Sequence, residues 1–125
     1  MSASPSQQQL PFPDDGRGPW VRVAGFDELE DGYGLARAVE GRELALFRDG
    51  EAVHCFEDLC PHRGAPLSDG HLAHGEVVCP WHGWRYAAAD GSCTTLPGSQ
   101  GARRFDCRRD GDGVWVRLRE THPGA

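Results

Sequence analysis

The sequence contains no lysine, no isoleucine and no asparagine. All three have AT-rich codons, so their absence marks a GC-rich genome rather than a function. The 13 basic residues are therefore all arginine, and against 19 acidic ones they leave a net charge of −6. Such a balance offers no basic surface of useful size and argues against a nucleic-acid binder. The chain also lacks the run of about eighteen apolar residues that a membrane-spanning helix needs. Residues 1–18 show no charged-then-apolar export pattern, and no arginine pair precedes an apolar run, so a soluble cytoplasmic protein is expected. Five cysteines is an odd count, which leaves at least one outside any disulfide framework. A length of 125 residues predicts one domain with a core that needs no staples. With 17 glycines and 9 prolines the chain is rich in loops without reaching a disordered composition.

What is present is concentrated between Cys60 and Tyr86. Cys60-Pro61-His62-Arg63-Gly64-Ala65-Pro66-Leu67 and Cys79-Pro80-Trp81-His82-Gly83-Trp84-Arg85-Tyr86 form two short hooks, each with one thiolate and one imidazole. Cys-x-His followed by Cys-x-x-His is the pattern that holds a [2Fe–2S] cluster with two cysteines on one iron and two histidines on the other. With neutral imidazoles the oxidised site carries no net charge, whereas a four-cysteine version is a dianion. Adding an electron to the neutral site costs less, and this ligand type spans about −150 to +300 mV against about −400 mV for plant-type clusters. The reduced site holds imidazole protons more tightly. A midpoint potential that falls with rising pH, once the oxidised histidines begin to deprotonate, is the expected result of a titration by protein-film voltammetry. The competing reading is a structural Cys2His2 zinc site. Zinc hooks usually pair cysteine with cysteine and histidine with histidine, and a colourless zinc protein without acid-labile sulfide would favour that alternative.

The two hooks resemble those of Rieske proteins. CPHRGAPL and CPWHGWRY are most similar to the amino-terminal Rieske domain of phthalate-type aromatic-ring oxygenases, and less similar to small Rieske ferredoxins, which share the four ligands. The resemblance covers roughly residues 20–119. It implies that Cys60 and Cys79 ligate the inner iron and His62 and His82 the outer one. In high-potential members a disulfide joins the hooks through positions that here are Ala65 and Trp81, so that staple is absent. A serine that donates to a bridging sulfide stands there at the position of Trp84. Tyr86 matches a tyrosine whose hydroxyl bonds a ligand sulfur.

In chain order, residues 1–18 read as a disordered tail, 19–120 as the cluster-binding domain and 121–125 as a C-terminal tail. Trp20–Ala24 alternates as a strand, and Phe26 to Gly32 reads as an acidic turn. Tyr33–Val39 and Arg42–Arg48 flank a Glu40-Gly41 hairpin, and Asp49-Gly50 makes a second one into Ala52–Phe56. Pro61 and Pro80 fix one dihedral in each hook, while Gly64 and Gly83 let the main chain approach the cluster so that amides point at its sulfurs. Glu76–Val78 delivers Cys79, Arg85-Tyr86 leaves on another strand, and Asp90-Gly91 turns the chain. Leu96-Pro97-Gly98 sits where Rieske domains carry a proline-containing loop over the cluster. Phe105 and Cys107 are expected on one face of a strand, and Val114, Val116 and Leu118 on the face of the last. No long helical period exists. The expected fold is all-β: small stacked antiparallel sheets with the two cluster-binding loops at the tip.

Around the site, Trp81 and Trp84 read either as a hydrophobic lid and docking surface or as packing. Arg63 and Arg85 read as local ion-pair partners or as contacts for a redox partner. Cys55, Cys93 and Cys107 are expected to pack as small apolar residues, and His54 and His122 as surface or satisfied strand residues. Asp69, His71 and His74 offer ligand types for a second metal, but at spacings that argue against one. After His82 the only histidine is His122, so no two-histidine, one-carboxylate iron triad of an oxygenase can be assembled there, and no oxygenase activity is assigned to the chain alone. The expected role is a one-electron carrier between a flavin-dependent NAD(P)H reductase and a terminal oxygenase. The alternative is a small subunit or accessory module of a larger enzyme, such as a nitrite reductase small subunit or part of a split oxygenase. A cluster-based redox or iron sensor is a weaker third reading.

Overall fold

The computed structural model describes residues 19–61, 64–81 and 83–118, and ten strands fall in three antiparallel sheets. Strands β1 (Trp20–Gly25), β9 (Cys107–Asp110) and β10 (Gly113–Arg117) form one, in the order β1-β10-β9. The middle sheet holds β2 (Gly34–Val39), β3 (Arg42–Asp49), β4 (Ala52–Glu57) and β8 (Arg104–Phe105), ordered β2-β3-β4-β8. The third is β5 (His71–Ala73), β6 (Glu76–Val78) and β7 (Arg85–Ala87), ordered β5-β6-β7. The expected architecture of small stacked antiparallel sheets is what the chain adopts.

The middle sheet is covered on both faces, which explains why Leu44, Ala45, Leu46 and Phe47 are all buried although they are consecutive. Successive side chains of a strand point to opposite faces. Ala45 and Phe47, with Phe56 of β4, enter one core, whose other members include Leu67, Leu72, Val77, Cys60, Cys79 and Tyr86. Leu44 and Leu46, with Val53 and Cys55, enter the other, built with Phe26, Leu29, Val114, Val116 and Leu118. One core therefore carries the hooks and the other closes the sandwich.

Local chemistry fixes the hairpins. Glu40 and Gly41 have φ of 52° and 81°, the two positive values a primed two-residue turn requires, and Val39 pairs with Arg42 across it. His74 and Gly75 repeat this between β5 and β6. The second predicted hairpin differs by one residue: Asp49 pairs with Ala52, so the loop is Gly50-Glu51 and only Gly50 has positive φ, 63°. Asp110 and Gly113 do the same around Gly111-Asp112. Both turns are Arg-Asp-Gly-acid, and in both the arginine Nε donates to the glycine carbonyl, Arg48 to Gly50 at 2.8 Å and Arg109 to Gly111 at 2.7 Å. The two guanidinium groups then lie 4.2 Å and 3.6 Å from the ring centre of buried Phe26. Asp31 and Glu51 complete this corner, accepting from the Gly50 amide and from Arg109.

Phe105 and Cys107 do not share one strand. The ladder breaks at Asp106, and Phe105 pairs with Cys55 in the middle sheet while Cys107 pairs with Val116 in the first. The cause is Arg117, which is buried, donates its amide to the Asp106 carbonyl and forms an ion pair with the Asp106 carboxylate. Both residues still face the same core.

Candidate metal centre

Each hook is closed in the same way. The Cys60 amide donates to the Ala65 carbonyl and the Cys79 amide to the Trp84 carbonyl, both at 2.7 Å and at the same separation along the chain. Gly64 and Gly83 follow their cysteines at a common interval with φ of 79° and 70°, values a side chain would disfavour. The Gly64 amide donates to the Cys60 carbonyl at 2.6 Å. It is thus consumed inside the hook, so any amide aimed at a cluster sulfur is one of its neighbours rather than that of Gly64 itself. The glycine is required by the turn.

The hooks bring Cys60 and Cys79 together. Their side chains are hydrogen-bonding neighbours, and both residues are essentially buried, at 0 % and 1 % exposure. Without metal, burial and then the adjacent Cys60 push the Cys79 thiol up to about 11. The Tyr86 hydroxyl, itself buried, lies 3.3 Å from the Cys60 sulfur, and burial followed by that contact raises its pKa. Two sulfurs and a hydroxyl are thus sequestered in an otherwise apolar core. Burial disfavours bare thiolates there, so the pair would fit the site as thiolates only when neutralised by iron, with Tyr86 as a neutral donor to one of them. His62 and His82, the other two expected ligands, lie outside the described residues, as does Arg63.

The tyrosine contact expected from the resemblance is present, so its loss has a definite sign. Tyr86→Phe removes a donor that favours the electron-rich state, and the midpoint potential is expected to fall. A hydrogen bond worth about 1 kcal/mol more in the reduced form is roughly 40 mV for one electron. A redox titration that leaves the midpoint unchanged would remove this role.

The two tryptophans separate. Trp84 packs against the core that holds the hooks, while Trp81 is 51 % exposed beside exposed Pro80. Packing describes the first, and the second is left on the surface. Leu59 and Leu96 are also exposed large apolar residues. Arg85 pairs locally with Glu76 at 3.4 Å, and Glu76 is held below the usual carboxylate range first by Thr94 and then by Arg85. A cleft of about 820 Å³ opens beside the first hook, between Cys60 and Pro61 on one side and Asp90, Gly101 and Arg104 on the other.

Among the described residues the remaining candidates form no ligand site. Asp69, His71 and His74 are exposed and are not assembled into a metal-binding group among the described residues. Cys55 and Cys93 are buried and Cys107 lies at the core margin, all as free thiols. Burial raises the Cys55 thiol well above its usual range and pushes Cys107 up to about 12, so both stay protonated and inert. His54, expected as a surface or satisfied strand residue, stands half-buried in β4: its Nδ1 is buried without a hydrogen-bond partner, and burial, then Arg104, lowers its pKa. His122 lies outside the described residues. One feature had no periodic or motif signal: the Asp58 carboxylate accepts from the Ser68 amide at 2.7 Å and from its hydroxyl at 2.6 Å. Among the described residues no helix is long and apolar enough to cross a membrane.

Comparison with known proteins places this geometry. The model of the Rieske [2Fe-2S] domain matches residues 19–106. The chain is 46% identical over 83 residues to the oxygenase component of chloroacetanilide N-alkylformylase of Rhizorhabdus wittichii, covering 66% of this chain and 23% of that protein. It is 30% identical over 99 residues to the ferredoxin component of the naphthalene 1,2-dioxygenase system of Pseudomonas aeruginosa, covering 79% of this chain and 95% of that one. Among solved structures, the ferredoxin of carbazole 1,9a-dioxygenase from Nocardioides aromaticivorans IC177 superposes with a TM-score of 0.71 at 35% identity, over 78% of this chain and 96% of that chain. Apo dicamba monooxygenase gives 0.72 at 32% identity, over 86% of this chain and 33% of that one. The chain thus spans less than a quarter of the oxygenase component and nearly all of the ferredoxin. On the domain match, the paired hooks and the buried sulfurs, the chain belongs to the Rieske family, whose [2Fe–2S] cluster serves electron transfer.

Proposed function

We propose that Cys60 and Cys79 hold the inner iron and His62 and His82 the outer one, and that the chain is a one-electron carrier. In this reading it takes electrons from a flavin-dependent NAD(P)H reductase and passes them to a terminal oxygenase. The cluster supplies the redox chemistry when bound. The chain's own residues do the rest: Tyr86 donates to the Cys60 sulfur, Trp84 and the surrounding core keep water from the thiolates, and exposed Trp81 offers an apolar contact for a partner. The observation that carries the reading is the correspondence with dioxygenase ferredoxins, of which the chain covers 95% and 96%. Residues 19–120 are the functional unit, and the cytoplasm is the proposed compartment. The test is reduction by NAD(P)H through a flavin reductase, read as bleaching of visible absorbance. Bleaching at catalytic reductase concentration is expected, and failure with every reductase encoded nearby counts against it.

A second reading, a Rieske subunit or module held on a larger oxygenase, is favoured by the 46% identity to an oxygenase component. Gel filtration of untagged protein from its source separates the two. A carrier elutes near its own 13.7 kDa, and a subunit travels with its partner.

A further inference from the structure

The two hooks differ in what closes their bases. The second rises from a strand ladder: Val78 pairs with Arg85 and Val77 with Tyr86 directly beneath Cys79. Arg85 is held from its other side as well, its amide donating to Thr95 Oγ1 at 2.8 Å and its carbonyl accepting from the Thr94 amide at 2.9 Å. Beneath the first hook, among the described residues, no ladder pairs the segment after β4 with the segment that follows Ala65. In its place stands the Asp58 carboxylate, bound by the amide and the hydroxyl of Ser68 ten positions on. Each foot of this clamp is fixed to the middle sheet. The Asp58 amide donates to the Glu43 carbonyl of β3 at 2.9 Å. Ser68 is buried against Gly34 of β2, where an added Cβ would lie 2.4 Å from the Ser68 carbonyl oxygen.

We propose that Asp58 is a positioning residue for the first hook, its two hydrogen bonds to Ser68 replacing the missing strand pairing and fixing where Cys60 presents its sulfur. The proposal rests on the reading of Cys60 as a cluster ligand. A loop left open at its base explores more conformations, and each must be given up again when the cluster is held. Outer partners of this kind typically change metal affinity by about 10- to 100-fold. Asp58 borders an open cleft of about 550 Å³, so truncating it seals no void and the variant is expected to fold.

The experiment follows cluster loss under a chelator by visible absorbance in the purified, loaded chain, with nitrogen hyperfine couplings of the reduced protein as a second readout. Asp58→Ala is expected to lose its cluster about tenfold faster and to broaden the couplings. Ser68→Ala, which removes the hydroxyl and keeps the amide, should fall between it and the native chain. Asp58→Asn is the rescue: its Oδ1 accepts from the amide and its Nδ2 donates to the hydroxyl oxygen, so the native rate should return to within about twofold. Asp31→Ala removes a comparable carboxylate contact, to the Gly50 amide in the other corner, and should leave the rate unchanged. A native rate in both Asp58→Ala and Ser68→Ala, an Asp58→Asn protein as defective as alanine, or an equal effect of Asp31→Ala would each overturn the clamp. A native chain with no cluster at all would instead overturn the ligand reading on which it rests.

Discussion

Cys79→Ser is expected to yield a colourless protein whose iron and acid-labile sulfide fall at least about tenfold below the native content. Cys79 sits at the head of the second hook, buried, with the Cys60 sulfur as its neighbour. Serine is nearly isosteric, but its hydroxyl does not ionise at neutral pH and cannot neutralise an iron as a thiolate does. Cys55→Ala provides the comparison. Cys55 is just as buried, yet it lies in the core without the hooks. Its loss should leave the metal content intact while costing about 1 kcal/mol of stability, since little more than a sulfur's packing is removed. Full cluster in Cys79→Ser, or equal loss in Cys55→Ala, would dissociate the cysteines from the roles their positions give them.

Phe26→Ala is expected to be the most damaging change away from the hooks. Truncating a buried phenylalanine costs about 3–5 kcal/mol. Its ring also lies against both Arg48 and Arg109, contacts worth roughly 0.5–2 kcal/mol each. Small domains have only about 5–15 kcal/mol in total. The apparent melting temperature should therefore drop by at least about 15 °C. The absorbance spectrum of the protein that remains folded should not change, because Phe26 belongs to the core opposite the one that holds Cys60 and Cys79. Calorimetry showing a shift of only a few degrees would mean the arginine corner does not hold the two Arg-Asp-Gly turns together.

Much of this was legible in the sequence because it is written in local chemistry. Positive-φ turn residues and period-two alternation located the hairpin at Glu40-Gly41 and the buried face of Val114, Val116 and Leu118. The hooks were legible as ligand spacing, and the resemblance supplied the Tyr86 contact that the geometry now shows. Where inference from sequence went astray, a tertiary partner decides. Asp49-Gly50 is shifted by one residue because Asp49 is kept in the ladder opposite Ala52. The strand through Phe105 and Cys107 breaks because Arg117 draws Asp106 out of it. Asp58 and Ser68 gave no signal, since a carboxylate and a hydroxyl that meet across a loop follow no period.

In the proposed site iron is held by sulfur from Cys60 and Cys79 on one side and by nitrogen from His62 and His82 on the other. Pulsed paramagnetic resonance of the dithionite-reduced protein tests it most directly. A half-integer-spin signal with strong hyperfine coupling to two imidazole nitrogens is expected, lost when either His62 or His82 is replaced. A diamagnetic zinc protein, or a reduced cluster with no nitrogen coupling, would contradict it.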